Sequence, residues 1–192
     1  MDNKISKNKA FTLIELLVSI GIFSIIIGAI SGIFIFGIRQ QKLALLNQII
    51  LDQSSFSLEF MSRALRMAKK DSSTSPVCLS LSGLNYEITH SGSGLMFINH
   101  LEDNDCQEFF LEQSQLKYRK KIGQIGEESL PLTSNKLEIV SLKFNLIGGS
   151  QADDLQPSVT IFLEIRGKGE LENSQKIKIQ TTISQRNLDV LQ

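Results

Sequence analysis

From Leu16 to Ile38 the chain runs for 23 residues without a charge, and the wider segment from Phe11 to Ile38 carries only Glu15. A helix needs roughly 20 predominantly apolar residues to cross the hydrocarbon core of a bilayer, so this run is long enough to span one. Before it stand residues 1–10, MDNKISKNKA, where Lys4, Lys7 and Lys9 face a single acid, Asp2. Lysines ahead of a span favour a cytoplasmic amino terminus and a translocated remainder. Arg39 and Lys42 on the far side weaken that asymmetry without reversing it.

Whole-chain averages hide this segregation. The 192 residues include 20 basic and 20 acidic side chains, for a formal net charge of zero, with 42% hydrophobic residues. That composition is not that of a disordered chain. It provides no overall positive field to gather phosphates, so no nucleic-acid partner is expected. Two Cys are too few for a disulfide scaffold.

Three classes of segment could explain the apolar run. A secretory signal peptide has an apolar region of about 7–15 residues and ends at a small-x-small site. Here the run is nearly twice that, and although Ala29-Ile30-Ser31 mimics such a site, Ile33 to Ile38 stay apolar beyond it. An uncleaved single-pass anchor satisfies the hydropathy but leaves Glu15 unexplained. An acid at the centre of a membrane helix costs about 2.5–3.5 kcal/mol, though less near an end. Glu15 therefore reads either as a carboxylate awaiting a cation or as an interfacial acid favoured by the helix dipole.

The third class rests on a resemblance. Lys9-Ala10-Phe11-Thr12-Leu13-Ile14-Glu15, followed by the apolar run, resembles the processing site of type IV prepilins and pseudopilins. The resemblance implies that a membrane prepilin peptidase removes the basic leader 1–10 by cutting between Ala10 and Phe11. It implies that the new terminus, Phe11, is then N-methylated. Glu15 would stand fifth in the mature chain, where that family places its glutamate. Glycine is usual at the position of Ala10, with alanine a tolerated variant. Gly32 stands where major pilins often carry a helix-bending proline, which points to a minor pilin or pseudopilin. In a staggered helical assembly, Glu15 of one subunit would neutralise the α-amino group of a neighbour and set the axial register. Burying either charge alone in an apolar bundle is expensive, so the pairing has a physical basis. Partners implied are the peptidase and methyltransferase, other pilin or pseudopilin subunits, an inner-membrane assembly platform and lipid. The implied location is the cytoplasmic membrane, single-pass, with an extracytoplasmic carboxyl-terminal domain that ends in a pilus or pseudopilus.

Ser24, Gly28 and Gly32 repeat at four-residue spacing. Small residues so placed let membrane helices approach closely, although glycine is common in such helices anyway.

Residues 39–70 continue without proline. Leu46, Ile49, Phe56, Phe60, Ala64 and Met67 recur at helical spacing and predict a sheet-facing stripe on an amphipathic helix through Lys70. The basic cluster Arg63, Arg66, Lys69 and Lys70 reads as the cation-rich end of that helix. Beyond Asp71 to Pro76 the period becomes two. Strands are predicted at 77–81, 84–90, 95–99, 107–112, 115–121, 137–147, 159–166 and 176–184. In the last, Ile177, Ile179, Thr181 and Ile183 face one way. A long helix followed by antiparallel strands is an α+β layout, and the resemblance implies a pilin-like one. The expected organisation is a leader at 1–10, a membrane or filament-core helix at 11–38, its amphipathic half at 39–70, and a β-rich globular domain at 71–192.

Little in the chain suggests catalysis, a cofactor or a metal. His90 and His100 belong to no metal-ligand motif. No nucleophile elbow, phosphate loop or cysteine–histidine signature is present. Glu102-Asp103-Asn104-Asp105 lacks the glycine-centred order of an EF-hand, and with Asp153-Asp154 it reads as a solvated acidic turn. A disulfide between Cys78 and Cys106 would close a loop of about 27 residues and add roughly 3–4 kcal/mol, the alternative being two buried thiols. The function expected is a structural filament subunit rather than an enzyme. The competing reading is a membrane-anchored extracytoplasmic domain that binds a ligand or surface without polymerising. Loss of the leader would also unmask a charge: it removes three Lys and one Asp, leaving 17 basic and 19 acidic residues.

Overall fold

The computed structural model describes residues 11–72, 78–101, 105–120, 122, 128–149, 155–168 and 176–186. The leader with Ala10, Pro76, Val77, the acidic turn residues Glu102, Asp103 and Asn104, and Asp153-Asp154 lie outside them.

Helix α1 spans Leu13–Arg66, 54 residues. The chain divides into two compact units, residues 1–45 and 46–192. In the first, every described residue from Phe11 to Leu45 is exposed. The mean hydropathy of the most apolar 18-residue window in α1 is 2.5, so this helix is long and apolar enough to cross a membrane.

The second unit holds the end of α1 and, among the described residues, nine strands, all paired antiparallel. One sheet contains β1 (Ala68–Lys69), β2 (Tyr86–Thr89), β3 (Gly94–Asn99), β4 (Asp105–Glu112), β5 (Gln115–Lys120) and β6 (Glu128–Pro131). Its order is β1-β3-β4-β5-β6, with β2 also on β3. β1 pairs with Ile98 and Asn99 while β2 pairs with Gly94 to Phe97, so the two lie end to end on one edge of β3. The other sheet is β7 (Leu137–Ile147), β8 (Ser158–Gly167) and β9 (Ile177–Ser184) in that order. One core joins all three layers: Met61 and Leu65 of α1, Phe97 and Phe109 of the larger sheet, and Ile161 and Ile165 of the smaller. The layout is α+β, as the change of period implied.

Three local features differ from the sequence reading. First, the buried face of α1 is Ile50, Ser54, Ser57, Met61 and Leu65, about one position round from the expected stripe. Ile49 and Phe56 are instead 42% and 59% exposed. Serines can occupy this face because the helix itself satisfies them. Ser54 Oγ donates to the Leu51 carbonyl at 3.0 Å and Ser57 Oγ to the Gln53 carbonyl at 2.8 Å. Second, the helix expected through Lys70 ends at Arg66, whose carbonyl accepts a 2.8 Å bond from the Arg186 amide. Ala68 and Lys69 leave the helix to pair with Asn99 and Ile98. Third, residues 78–81 form bends rather than a strand, while β6, exposed throughout, has no alternation to announce it.

β7 shows how burial and pairing are reconciled. Leu137 and Ile139 are buried, and then the phase jumps to Leu142 and Phe144. The register slips between Ile139 and Ser141, making Val140 the extra residue of a β-bulge. One inserted residue flips every later side chain, so the bulge keeps both halves facing the core.

Candidate functional site

The head of α1 is built by reciprocal capping. Thr12 lies just outside the helix, and its carbonyl accepts the first helical bond, from the Leu16 amide at 3.2 Å. The Thr12 amide and hydroxyl both donate to Glu15 Oε2, at 3.2 and 3.1 Å. In return the Glu15 amide donates to Thr12 Oγ1 at 3.3 Å. This is a capping box, which satisfies amides that a helix start leaves without partners and places a carboxylate at the positive end of the dipole. The sequence reading does not single out Thr12. The signal that marks it is Thr-x-x-Glu immediately before an apolar run.

These bonds fix where the carboxylate of Glu15 points. Oε2 takes both bonds from Thr12, and Oε1 takes none from any described residue. Phe11, one residue before Thr12, is 83% exposed. Further along, Ser19 and Ser24 hydroxyls donate to the Glu15 and Ile20 carbonyls at 2.7 and 2.9 Å, so neither presents an unpaired donor to an apolar surrounding. Gly28 and Gly32 face open space, and a Cβ added at either would meet nothing within 4 Å. Phe11, Glu15, Ser24, Gly28 and Gly32 thus line one stretch of chain at and along α1, and all are open to whatever surrounds it.

A second polar cluster lies on the larger sheet. Glu108 is buried on β4 and faces away from the core. Its Oε1 accepts from Thr89 Oγ1 at 2.6 Å and lies 3.2 Å from His90 Nε2, and its Oε2 lies 3.6 Å from Arg119 Nη1. His90 stacks on Phe110 at 5.3 Å, and the Arg119 guanidinium sits 4.5 Å from the same ring centre. Gly94 makes room for this clasp, because a Cβ there would fall 2.2 Å from Thr89 Oγ1. His100 is an exposed turn residue whose amide donates to the Met67 carbonyl. Cys78 and Cys106 are bonded, with Cα atoms 5.4 Å apart. Surface hollows of about 380 and 530 Å³ are lined around Phe162, with Ser141, Glu164 and Lys178, and around Phe56, with Gln53 and Gln115. Among the described residues, no group of three His, Cys, Asp or Glu side chains is placed to hold a metal ion.

Residues 5–31 match the family described as the prokaryotic N-terminal methylation motif. The chain carries a type IV prepilin-like motif. The matched stretch takes in Ala10, Phe11 and Glu15 and runs through Gly28 into the apolar helix. No curated protein and no solved structure matches the chain. Beyond the motif, the layout of one long amino-terminal helix with its carboxyl end packed on antiparallel sheet is pilin-like. Such a motif implies processing by a prepilin peptidase and pilin-type partners in general, and the apolar helix that follows fits a single-pass membrane anchor.

Proposed function

We propose that this chain is a minor structural subunit of a type IV pilus or type II secretion-like filament. It enters the cytoplasmic membrane through Phe11–Ile38 with its second unit on the extracytoplasmic side. The leader 1–10 is cut off between Ala10 and Phe11, Phe11 is N-methylated, and the subunit joins the filament from the inner-membrane assembly platform. Its functional residues are substrates of another enzyme and contacts to other subunits, and none of them is catalytic. Ser24, Gly28 and Gly32 form the close-approach face toward neighbouring helices.

The observation that carries this reading is the methylation motif at the head of an exposed apolar helix, with Glu15 held in place by Thr12. A carboxylate with one oxygen engaged within its own chain has the other available to a neighbour's α-ammonium. Pairing opposite charges in an apolar bundle offsets a desolvation cost of several kcal/mol per ion, which makes one axial stagger strongly preferred. The disulfide supports an extracytoplasmic second unit, since such bonds persist in oxidising compartments.

Glu15→Val tests the registry role. The variant is expected to insert and be trimmed like the native chain, and to be recovered poorly in sheared filaments. Normal recovery in filaments would remove Glu15 from that role, whereas absence of the native chain itself from filaments would favour an anchored domain that does not polymerise.

A further inference from the structure

The two sulfurs of the Cys78–Cys106 bond are not equivalent. Cys106 is the second residue of β4, opposite Ile98 of β3, and is 2% exposed. Phe109 of the same strand points into the core, so Cys106, three residues earlier, points to the opposite face of the sheet. Cys78 lies in the segment that crosses that face and is only partly covered. Its neighbours hold it there: Leu79 is 3% exposed, and the Ser80 amide donates to Glu87 Oε2 at 2.6 Å.

Thiol–disulfide exchange proceeds by attack of a thiolate on one sulfur while the other leaves, so access decides which sulfur is attacked. The attacking atom, the attacked sulfur and the leaving sulfur lie nearly in line. Cys78 is only partly covered while Cys106 is 2% exposed, so an external thiolate reaches Cys78 the more readily. Attack on Cys106 is opposed by its burial on β4.

We propose that Cys78 is the exchange sulfur of this bond and Cys106 its resolving thiol. In oxidation, the Cys78 thiolate attacks an external disulfide, forming a mixed disulfide and releasing one external thiolate. The Cys106 thiolate then attacks Cys78 Sγ and releases the second. Two protein thiols give up two electrons and two protons, and the external disulfide becomes two thiols. Reduction retraces the same path, with Cys106 as the leaving thiolate. The co-reactant is therefore any disulfide or dithiol that reaches the outer face of the larger sheet.

The test uses the full-length chain in detergent with glutathione disulfide as the probe. Cys106→Ser, which leaves Cys78, is expected to form its glutathione adduct at least about tenfold faster than Cys78→Ser, which leaves Cys106. In concentrated urea the two rates should converge. Similar rates in native buffer, or faster reaction at Cys106, would overturn the proposal. Should the Cys78→Ser variant react no faster in urea than in buffer, and so prove unfolded, the oxidised native chain decides instead. Brief exposure to reduced glutathione, acid quenching and alkylation should then place glutathione on Cys78. Placement on Cys106, or no native exchange, contradicts the assignment.

Discussion

The phenolic hydroxyl of Tyr86 donates a 2.7 Å hydrogen bond to the backbone carbonyl of Leu65, one residue before the end of α1. Both residues are buried, at 1% and 0% exposure. A helix leaves its last carbonyls without intrahelical partners, and water does not reach this one. Tyr86 opens β2, so a single side chain both finishes the helix and fastens it to the larger sheet.

Tyr86→Phe keeps the ring and removes the donor, stranding a buried carbonyl. Such a loss is expected to cost about 1–3 kcal/mol in urea unfolding near pH 7. Burial also pushes the phenol above its ordinary pKa of 10.0. The sign follows from proton counts. Above about pH 10 the unfolded chain releases this proton and the folded chain keeps it, so the contribution to stability present below that pH is lost as pH rises. The native chain should therefore lose stability faster than Tyr86→Phe between about pH 10 and 11. Parallel pH slopes would contradict the burial of that hydroxyl.

Glu108 is expected to be essential for the outer clasp. Removing it takes a buried acceptor from Thr89, His90 and Arg119, of which the last two keep some contact with solvent. Glu108→Ala should cost about 2–3 kcal/mol, because it leaves a cavity and removes the acceptor of all three donors. Glu108→Gln keeps an acceptor for Thr89 and should cost about 1–2 kcal/mol. Chemical denaturation of both variants checks the order, and a Glu108→Gln variant as stable as the native chain would show that the charge contributes nothing.

The face of α1 can be read by two phenylalanines. Phe60 meets Tyr118 edge-on at 5.2 Å and Phe109 at 6.1 Å. Its truncation to Ala should cost about 3 kcal/mol. Phe56→Ala, one turn earlier and 59% exposed, should change the stability of the isolated chain by no more than about 0.5 kcal/mol. Thermal unfolding of the two variants distinguishes this face from the one read off the sequence.

What the sequence reveals and what it hides follow from the range of the forces involved. The apolar run, the motif around Phe11 and the ladder of Ile177, Ile179 and Ile183 are local patterns, and β7 at Leu137–Ile147 is legible to the residue. The helix face is not, because Ser54 and Ser57 look polar until their bonds to Leu51 and Gln53 are seen. β1 is hidden because two residues carry no period, and it exists only where Ile98 and Asn99 provide partners. At the candidate site, Ala10, Phe11 and Glu15 are read from a contiguous motif. The capping signal of Thr12 is equally local, but the motif draws the eye to the residues on either side of it. The clasp on Glu108 cannot be read from the chain, since it joins residues from β2, the turn after it, β4 and β5.

Mass spectrometry of the chain recovered from its native membrane tests the processing of the amino terminus most directly. The expected mature chain begins at N-methyl-Phe11, with residues 1–10 absent. A chain that retains Met1, or one cut beyond Ile38, would contradict it.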